Sequence, residues 1–453
     1  MYTLGRACTI VRKLDSSPGR LSAFDQVLRR STKVRVSYLF YQNAPETLKS
    51  LLLLLYGMKC YLSVNWTTAR DADIVLFASY PNEHVAVGHV RQHLKEWCLG
   101  ELSIATRNCL RPDALLALPA FLLSAIRFQR VARRLSRRLH FMPACRVFST
   151  IAYYARFRRL LRTYDTSAVF IANHYSPECL GLAVAAHQAG KKVIFANHAN
   201  ATWESGFVPP LFADLAAVTG QAVLDVYLRS SGRPINAVFI PPAPPQAPLR
   251  ARLDPDAGLK VGIFLTALTN KERLRELVDQ LKRDSRVRQI LIRPHPVEVI
   301  NEDISDLITG DGRVVDTNGT LLSDNARECD LAICGNSTAA VEILRAGLPV
   351  LYDSRVDYCG HDFNGYLKRG LVMAMPDRID ASSLETVARF YGDPAWTGVM
   401  RNLDASYGRD EAEMFERLNH AIAETIAARH RAAEAAPLRP LGRGLAAAAP
   451  LKT

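Results

Sequence analysis

The chain lacks an apolar run long enough to cross a membrane, and it lacks the marks of a secreted or zinc-bound fold. Its apolar stretches at residues 50–56 and 114–123 fall short of the ~18–20 residues that a spanning helix needs. No charged start followed by a signal-type apolar segment opens the sequence. The nine cysteines are scattered, without C-x-x-C spacing. We therefore expect a cytoplasmic protein with reduced thiols and no structural zinc.

Familiar motifs of nucleotide and metal chemistry are also missing. The sequence contains neither G-x-x-x-x-G-K-[ST] nor G-x-G-x-x-G. Its D-x-D tripeptide, at residues 254–256, lies in a proline-rich segment where we expect it at the surface. We therefore expect no metal and no bound cofactor. Any phosphate would be held by arginine, histidine and backbone N–H groups.

Acidic side chains are scarce between Arg127 and Arg162, where arginines alternate with apolar residues. The whole chain has 57 Lys+Arg against 44 Asp+Glu, a net charge of +13. This composition is typical of a basic amphipathic helix on an anionic membrane surface. A solvated helix that packs on its own domain remains an alternative, and nucleic acid is disfavoured. The candidate membrane or acceptor residues are Arg130, Arg133, Arg134, Arg137 and Arg138.

At 453 residues the chain is long enough for two domains. Short apolar runs alternate with helical stretches on both sides of a proline-rich segment. The predicted organisation is an unassigned segment at 1–32, a first α/β domain at 33–240 with a basic helical section at 112–162, a linker at 241–258, a second α/β domain at 259–428 and a disordered tail at 429–453.

In the first half we predict strands at 34–40, 59–64, 72–77, 168–171 and 192–195. Helices are predicted at 45–56 and 178–188, with one long helical section from 83 to 161. The second half repeats the alternation of strand and helix. Its strands are predicted at 260–265, 289–292, 330–334 and 349–352, and its helices at 271–282 and 339–345.

Two loops of the second half follow buried strands and carry groups that bind anions. Arg293 and His295 lie in an Arg-Pro-His-Pro loop that Pro296 stiffens. The second loop reads Gly-Asn-Ser-Thr and leads into a helix. We expect the two loops at neighbouring strand ends, around one phosphate. The second loop's candidate donor-binding residues are Gly335, Asn336, Ser337, Thr338 and Glu342.

These motifs carry a resemblance to a known family. A half that reads RPHP, GNSTAAVE and AGLPVLYD resembles the GT-B glycosyltransferases of bacterial capsule and surface polysaccharide synthesis, chiefly sialyltransferase- and Kdo-transferase-like enzymes that use CMP-activated sugars. It is also similar to CDP-glycerol glycerophosphotransferases. The resemblance covers roughly residues 190–375. It implies an α/β fold of two Rossmann-like domains facing a cleft, with an acceptor domain at 33–240 and a nucleotide-sugar-binding domain at 259–428. His295, Ser337 and Thr338 would then lie at the donor nucleotide.

Further candidates lie around the cleft that this fold would create. Gly220 follows a strand in the segment that resembles the interdomain region, and Thr266 and Lys271 open the second domain. Two strands of the first half each end in Asn-His, with His174 and His198. An imidazole there could deprotonate an acceptor hydroxyl, because its pKa lies near neutrality. We take His198 as the leading base, with His174, Glu204 and Glu178 as alternatives.

The sequence thus predicts a metal-independent glycosyltransferase at the inner face of a bacterial membrane, using a nucleotide-sugar donor and a polysaccharide or lipid-linked acceptor. A CMP-sugar is the favoured donor. Three alternatives stay open: a CDP-polyol phosphotransferase, a nucleotide-sugar epimerase and a non-catalytic assembly protein. The acidic Asp/Glu-Asp/Glu-Gly motif that supplies the base in some sialyltransferases has no match here.

Overall fold

The structure is a computed structural model. It describes residues 2–17, 21, 24–25, 27–29, 31–66, 71–104, 112–198, 208–243, 246–250, 253–254, 258–266, 269–295, 303–308, 312–357 and 360–434. Two mostly parallel sheets, each enclosed by helices, form two Rossmann-like domains, and the first sheet has an antiparallel strand at one edge. The predicted α/β fold class is confirmed. Within the described residues, no helix is both long and apolar enough to cross a bilayer.

The first domain is built around a seven-stranded sheet in the order β1-β3-β2-β4-β5-β6-β7. Its strands are β1 Val64–Trp66, β2 Ile74–Phe77, β3 Leu99–Ile104, β4 Ala168–Ile171, β5 Lys192–Ala196, β6 Leu215–Val218 and β7 Ala237–Phe239. Its helices are α1 Leu4–Asp15, α2 Thr32–Asn43, α3 Glu46–Ser63, α4 Pro81–Arg91, α5 Pro112–Arg138, α6 Phe141–Thr163, α7 Pro177–Gln188 and α8 Gln221–Ser231.

The strand order reverses between β2 and β4. The chain runs outward from β2 to β3, then returns to β4 and continues in the other direction to β7. The β2–β4 contact is parallel, with Phe77 paired to Ile171. The four residues of each strand are buried because both faces of the sheet are covered by helices. A reversal of this kind leaves a crevice at the carboxyl ends of the two strands.

The second domain has a six-stranded parallel sheet in the order β10-β9-β8-β11-β12-β13. Its strands are β8 Leu259–Phe264, β9 Val287–Arg293, β10 Val314–Asp316, β11 Leu331–Cys334, β12 Val350–Tyr352 and β13 Met373–Ala374. Its helices are α9 Lys271–Arg283, α10 Ser305–Ile308, α11 Leu322–Glu328, α12 Ala339–Arg345, α13 Ala381–Gly392 and α14 Pro394–Leu403. Here the strand order reverses between β8 and β11.

The last described helix, α15 Glu411–Glu434, returns to the first domain. Its apolar residues Phe415, Leu418 and Ile422 are buried in one cluster with the strands of the first sheet. The segment before it is held by Arg345, whose fully buried guanidinium donates to Asp404, to Ser406 Oγ at 2.8 Å and to Glu411. The chain therefore crosses between the domains twice, once near residue 240 and once near residue 404.

Several predicted elements of the first half are wrong. Residues 34–40 and 59–63 were expected as strands, but both lie in helices, α2 and α3. Residues 34–38 do alternate between apolar and polar side chains, but tertiary packing decides the outcome. The predicted helical section from 83 to 161 contains a strand, β3, that pairs with β2. The segment left unassigned at 1–32 contains α1. Of the predicted disordered tail at 429–453, residues 429–434 are wrong because they continue the helix α15, and residues 435–453 lie outside the described part.

Candidate functional site

Three strands of the second sheet end side by side at its centre. Arg293 on β9 pairs with Phe264 on β8, and Phe264 pairs with Cys334 on β11. Neighbouring strands lie about 4.8 Å apart, so the backbones of Arg293 and Cys334 are separated by about 10 Å. The expectation of adjacent strands is wrong in detail, because β8 lies between them. The two loops nevertheless begin at the same edge of the sheet, where β9 and β11 end.

The loop after the central strand β8 contributes Thr266, which was not part of the predicted two-loop phosphate site. Thr266 is buried two residues beyond the end of β8, and its Oγ1 has no partner in the described part of the chain. The buried Nε of Arg293 likewise has none there, although the Nη2 of Arg293 donates to the carbonyl of Thr320 at 3.3 Å. Buried polar atoms are almost always satisfied. These two buried polar atoms near the β8–β11 reversal, which lack partners among the described residues, could therefore bind a polar ligand.

Glu342, one turn into α12, interacts electrostatically with Arg293. Burial raises the pKa of the Glu342 carboxyl to about 7, and the charge of Arg293 opposes that rise. The pKa of His295 is lowered, first by burial and then by the charge of Arg293. The β9 loop and α12 thus meet across the end of β8. Near neutral pH this region holds a guanidinium, a neutral imidazole and a partly protonated carboxyl.

The Gly-Asn-Ser-Thr loop forms hydrogen bonds with neighbouring loops of its own domain. The backbone N–H of Asn336 donates to Asp357 Oδ2 at 2.9 Å, and the Asn336 Nδ2 donates to the carbonyl of His361 at 2.7 Å. A Cβ at Gly335 would come within 2.9 Å of the Val356 side chain, so only glycine fits closely. Asn336 therefore positions the 361–364 loop, which is a structural task the sequence did not suggest.

The paired hydroxyls sit at the start of a short helix. Ser337 Oγ accepts the N–H of Ala339 at 3.2 Å, whereas Thr338 makes no side-chain cap. Both residues are half-buried. The helix that follows, α12, has only seven residues. Its macrodipole is therefore a weaker source of anion affinity than a long helix would supply, and the side chains of Arg293 and Thr266 matter more.

Two other donor candidates have protein partners. Lys271 forms an ion pair with Asp306 at 2.7 Å on α10. Gly220 lies against the end of α14, where an added Cβ would stand 2.5 Å from the carbonyl carbon of Leu403. The adjacent Thr219 carbonyl accepts the N–H of Ala405 at 2.7 Å. The structure thus gives Gly220 a packing task between the domains.

The two Asn-His pairs lie at the carboxyl ends of β4 and β5. His198 is half-buried, and its Nδ1 contacts the carbonyl of Ala172. A proton on Nδ1 satisfies that contact and leaves Nε2 as the basic nitrogen. His174 is buried edge-on against Phe195 and Tyr227, and burial lowers its pKa to about 3. Of the two, His198 has the more suitable environment for a general base.

A buried carboxylate that sequence reasoning missed joins the strand ends at the reversal of the first sheet. Glu83 accepts the N–H of Ser79 and the Nδ2 of Asn173, both at 2.8 Å. Asn173 in turn accepts backbone N–H groups of Tyr175 and Ser176. Only the strand order places these residues together. The nearby alternative base Glu178 is buried, and burial raises its pKa.

Some sequence candidates lie outside the described residues, and others are at the surface. Glu204 and Pro296 are in undescribed segments. The basic section divides into two helices with different environments. On α6, Arg146 is paired with Asp15 at 2.7 Å and Arg156 is buried beneath Tyr61. The candidate arginines on α5 are all exposed, namely Arg130, Arg133, Arg134, Arg137 and Arg138.

Comparison with known proteins finds no matching family profile and no matching curated protein. Solved structures do match in overall layout. A lipopolysaccharide outer core galactosyltransferase, WaaB, in apo form is 11% identical, covers 78% of this chain and 99% of its own, and has a TM-score of 0.41. UDP-GlcNAc 2-epimerase from Neisseria meningitidis, bound to UDP-GlcNAc, is 10% identical with coverages of 78% and 99% and a TM-score of 0.47.

A third match, MurG from Acinetobacter baumannii, is 14% identical, covers 79% of this chain and 99% of its own, and has a TM-score of 0.38. At identities this low, a shared layout does not specify a substrate. The two strand-order reversals supply the geometry that bears on function. One offers buried polar groups that have no partner among the described residues and that suit an anion. The other offers His198, whose Nδ1 contacts the Ala172 carbonyl, which leaves Nε2 as the basic nitrogen.

Proposed function

We propose that the chain is a metal-independent GT-B glycosyltransferase that moves a sugar from a nucleotide-activated donor to a surface polysaccharide or lipid-linked acceptor. The single observation that carries the proposal is a pair of buried groups at the β8–β11 reversal, Thr266 Oγ1 and Arg293 Nε, which have no hydrogen-bond partner among the described residues; Glu342 interacts with Arg293 there. Ligands of open parallel sheets bind at such reversals. A CMP-sugar is the favoured donor, on the resemblance of the His-Pro and Ser-Thr loops.

In this proposal the second domain receives the donor phosphates. Arg293 supplies a charge-assisted hydrogen bond to a phosphate oxygen, and its charge offsets the negative charge that develops on the departing nucleotide. Thr266 Oγ1 donates to a second oxygen. Glu342 is partly protonated near neutrality and accepts or donates a hydrogen bond to a ribose or sugar hydroxyl. No step requires a metal ion.

The first domain presents the acceptor. The Nε2 of His198 takes a proton from the acceptor hydroxyl as that oxygen attacks the anomeric carbon and the nucleotide leaves. Arg293 and His198 then act from opposite domains, so the reaction requires both strand-order reversals to face the same space. We place the enzyme at the inner face of the cell membrane, where a lipid-linked acceptor is available.

The experiment is a thermal-shift and calorimetric panel of CMP, CDP, UDP and GDP. We expect one of these nucleotides to raise the melting temperature of the wild type. Arg293→Ala should weaken its binding about 10- to 100-fold, since hydrogen bonds to charged groups contribute about 1.5–3 kcal/mol. Thr266→Val and His295→Ala should weaken binding less. The matched control is Arg288→Ala, an exposed arginine at the opposite end of β9.

Two results would contradict the proposal. The first is a wild-type protein that binds none of the nucleotides or their sugar conjugates. The second is Arg293→Ala binding as tightly as Arg288→Ala. Once a donor is known, product analysis separates transfer from epimerisation, because an epimerase changes the sugar configuration without any acceptor.

A further inference from the structure

Helices α3 and α5 carry large apolar side chains that the fold leaves exposed. The exposed fractions are 57% for Leu122, 87% for Leu123 and 71% for Ile126, and 45% for Leu51 and 47% for Leu55. Single exposed apolar residues are ordinary on a protein surface, but a contiguous apolar patch usually marks an interaction site. Whether these five side chains form one patch depends on how the two helices lie against each other.

Three contacts fix that arrangement as antiparallel. The Nε of Arg137 bonds Glu46 at 2.9 Å, and the Nε2 of Gln129 donates to Ser50 Oγ at 2.9 Å. At the other end, the rings of Tyr61 and Phe121 lie 5.4 Å apart. As the residue number rises on α3, it falls on α5. Between these contacts, Leu55 lies level with Ile126, Leu51 lies about one turn away towards Gln129, and Leu122 and Leu123 lie about one turn away in the other direction.

The apolar side chains share the outer face of this helix pair. Leu51 follows Ser50, the residue that touches α5, and Leu55 lies one turn further along. Leu122 and Ile126 are also one turn apart, and Ile126 lies one turn before Gln129, the residue that touches α3. The buried sides of both helices point the other way, towards Leu53 and Phe128 in the core of the first domain. We call these five residues the α3–α5 apolar patch.

The remainder of α5 is basic. Beyond Ile126, its exposed side chains are mostly arginines, the ones already named together with Arg127. Among them, Arg137 has a carboxylate partner, Glu46, at the start of α3. The face thus passes from apolar to strongly cationic along one helix. A surface that would match it must offer hydrocarbon and negative charge side by side.

We propose that the α3–α5 apolar patch and the arginines that follow it form a docking surface for an anionic phospholipid bilayer. Leu122, Leu123 and Ile126 enter the boundary between headgroups and acyl chains, and the arginines bind lipid phosphates. This inference deepens the proposed function, since it names the surface that would bring the enzyme to a lipid-linked acceptor. It uses none of the residues assigned to nucleotide binding, so the two can be tested separately.

The test is cosedimentation of the full chain with vesicles of phosphatidylcholine alone or mixed with phosphatidylglycerol. The wild type should bind the mixed vesicles, bind neutral vesicles at least tenfold more weakly, and dissociate in 0.5 M salt. The double substitution Leu123→Asp with Ile126→Asp should lower the affinity about tenfold or more. Arg130→Glu with Arg134→Glu should do the same, because each basic residue near the membrane contributes about fivefold.

Matched controls lie elsewhere on the molecule. Val85 on α4 is 59% exposed and lies on the opposite side of the first sheet, so Val85→Asp should leave vesicle binding unchanged. Lys95→Glu with Arg389→Glu makes the same change of net charge as the arginine pair at exposed sites away from the patch. Circular dichroism checks the fold of each variant. The salt and lipid dependence of vesicle binding by the wild type tests the proposal even if a variant fails to fold.

The proposal is overturned if the wild type stays in solution with the mixed vesicles, or if patch and control variants bind equally. It is also overturned if the wild type is a dimer and Leu123→Asp with Ile126→Asp makes it monomeric, because the patch would then be covered by a second copy. Nucleotide binding by the patch variant should equal that of the wild type. Failure of vesicle binding alone would leave the proposed transferase activity standing.

Discussion

Arg293 at the end of β9 and Glu342 on α12 interact across the end of the central strand β8. Burial raises the pKa of the carboxyl to about 7, and the guanidinium limits that rise. The same burial acts on Arg293, whose pKa is lowered. Desolvation therefore outweighs the attraction between the two charges. Such a pair is costly to keep in an unliganded protein, and strongly shifted groups of this kind cluster at functional sites.

The first prediction concerns stability and pH. The folded pKa of Glu342 lies above its ordinary value of 4.5, so the folded chain holds this proton more tightly than the unfolded chain. The carboxyl therefore destabilises the fold as the pH rises from about 4.5 to about 7, by roughly 3 kcal/mol in total. Glu342→Gln removes the ionisation. Its melting temperature should exceed that of the wild type at pH 8 and approach it at pH 5.

The control for this prediction is Glu276→Gln, an exposed carboxyl on α9 that should not change the pH dependence. The measurement is thermal denaturation of the three proteins between pH 5 and pH 8. If Glu342→Gln melts no higher than the wild type at pH 8, then burial of the ionised Glu342 carboxyl does not destabilise the fold.

A second prediction follows from the buried network of Arg345. Arg345→Ala leaves Asp404 fully buried without its guanidinium, which typically costs about 3–5 kcal/mol. The network also holds the start of α15, so we expect protease cleavage near residues 404–411. Arg327→Ala, which breaks an exposed pair with Asp324, should cost less than about 1 kcal/mol. Equal melting temperatures for the two variants would show that the network does not hold the crossing segment.

A third prediction tests the contact between the domains at Gly220. Gly220→Ala places a methyl group against the backbone of Asn402 and Leu403, which cannot move aside as a flexible side chain could. We expect a lower melting temperature and a more open solution envelope by X-ray scattering. Gly398→Ala, on α14 with free space around it, should stabilise the chain by about 0.5–1 kcal/mol. A Gly220→Ala protein as stable and compact as Gly398→Ala would refute the contact.

The fourth prediction separates catalysis from donor binding. His198→Ala should lower kcat by about 10²- to 10⁴-fold, the usual contribution of a general base, with nucleotide affinity changed less than twofold. His174→Gln should retain most of kcat, because burial lowers the pKa of His174 to about 3 and so makes its imidazole a poor proton acceptor at pH 7. Steady-state kinetics and calorimetry on the same preparations provide the comparison. An unchanged kcat for His198→Ala would show that a different residue is the general base.

Local patterns in the second half predicted four of the six described strands of its sheet, β8, β9, β11 and β12, and the helices α9 and α12. The strands β8, β9 and β11 end where the sequence placed them to within one residue. The short strand β10, which is buried at only one of its three residues, was not predicted. The first half was harder. Residues 34–40 alternate well enough to suggest a strand, yet packing of Tyr38 and Tyr41 against Phe141 places them in a helix.

The candidate site was predictable only in part, because strand order is a tertiary property. Arg293, His295 and Glu342 could be named from their loops, but β8 lies between the two loops, which brings Thr266 into the centre. Glu83 could not be named at all. Its partner Asn173 lies 90 residues away in the chain and becomes a neighbour only when β2 pairs with β4.

Hydrogen-exchange mass spectrometry with and without the nucleotide identified by the binding panel tests the central claim most directly. The account predicts slower exchange at the ends of β8, β9 and β11, in peptides covering residues 262–266, 291–295 and 335–345. Peptides from the opposite end of the same sheet should not change. Protection confined to the first domain, with none at these three strand ends, would contradict the account.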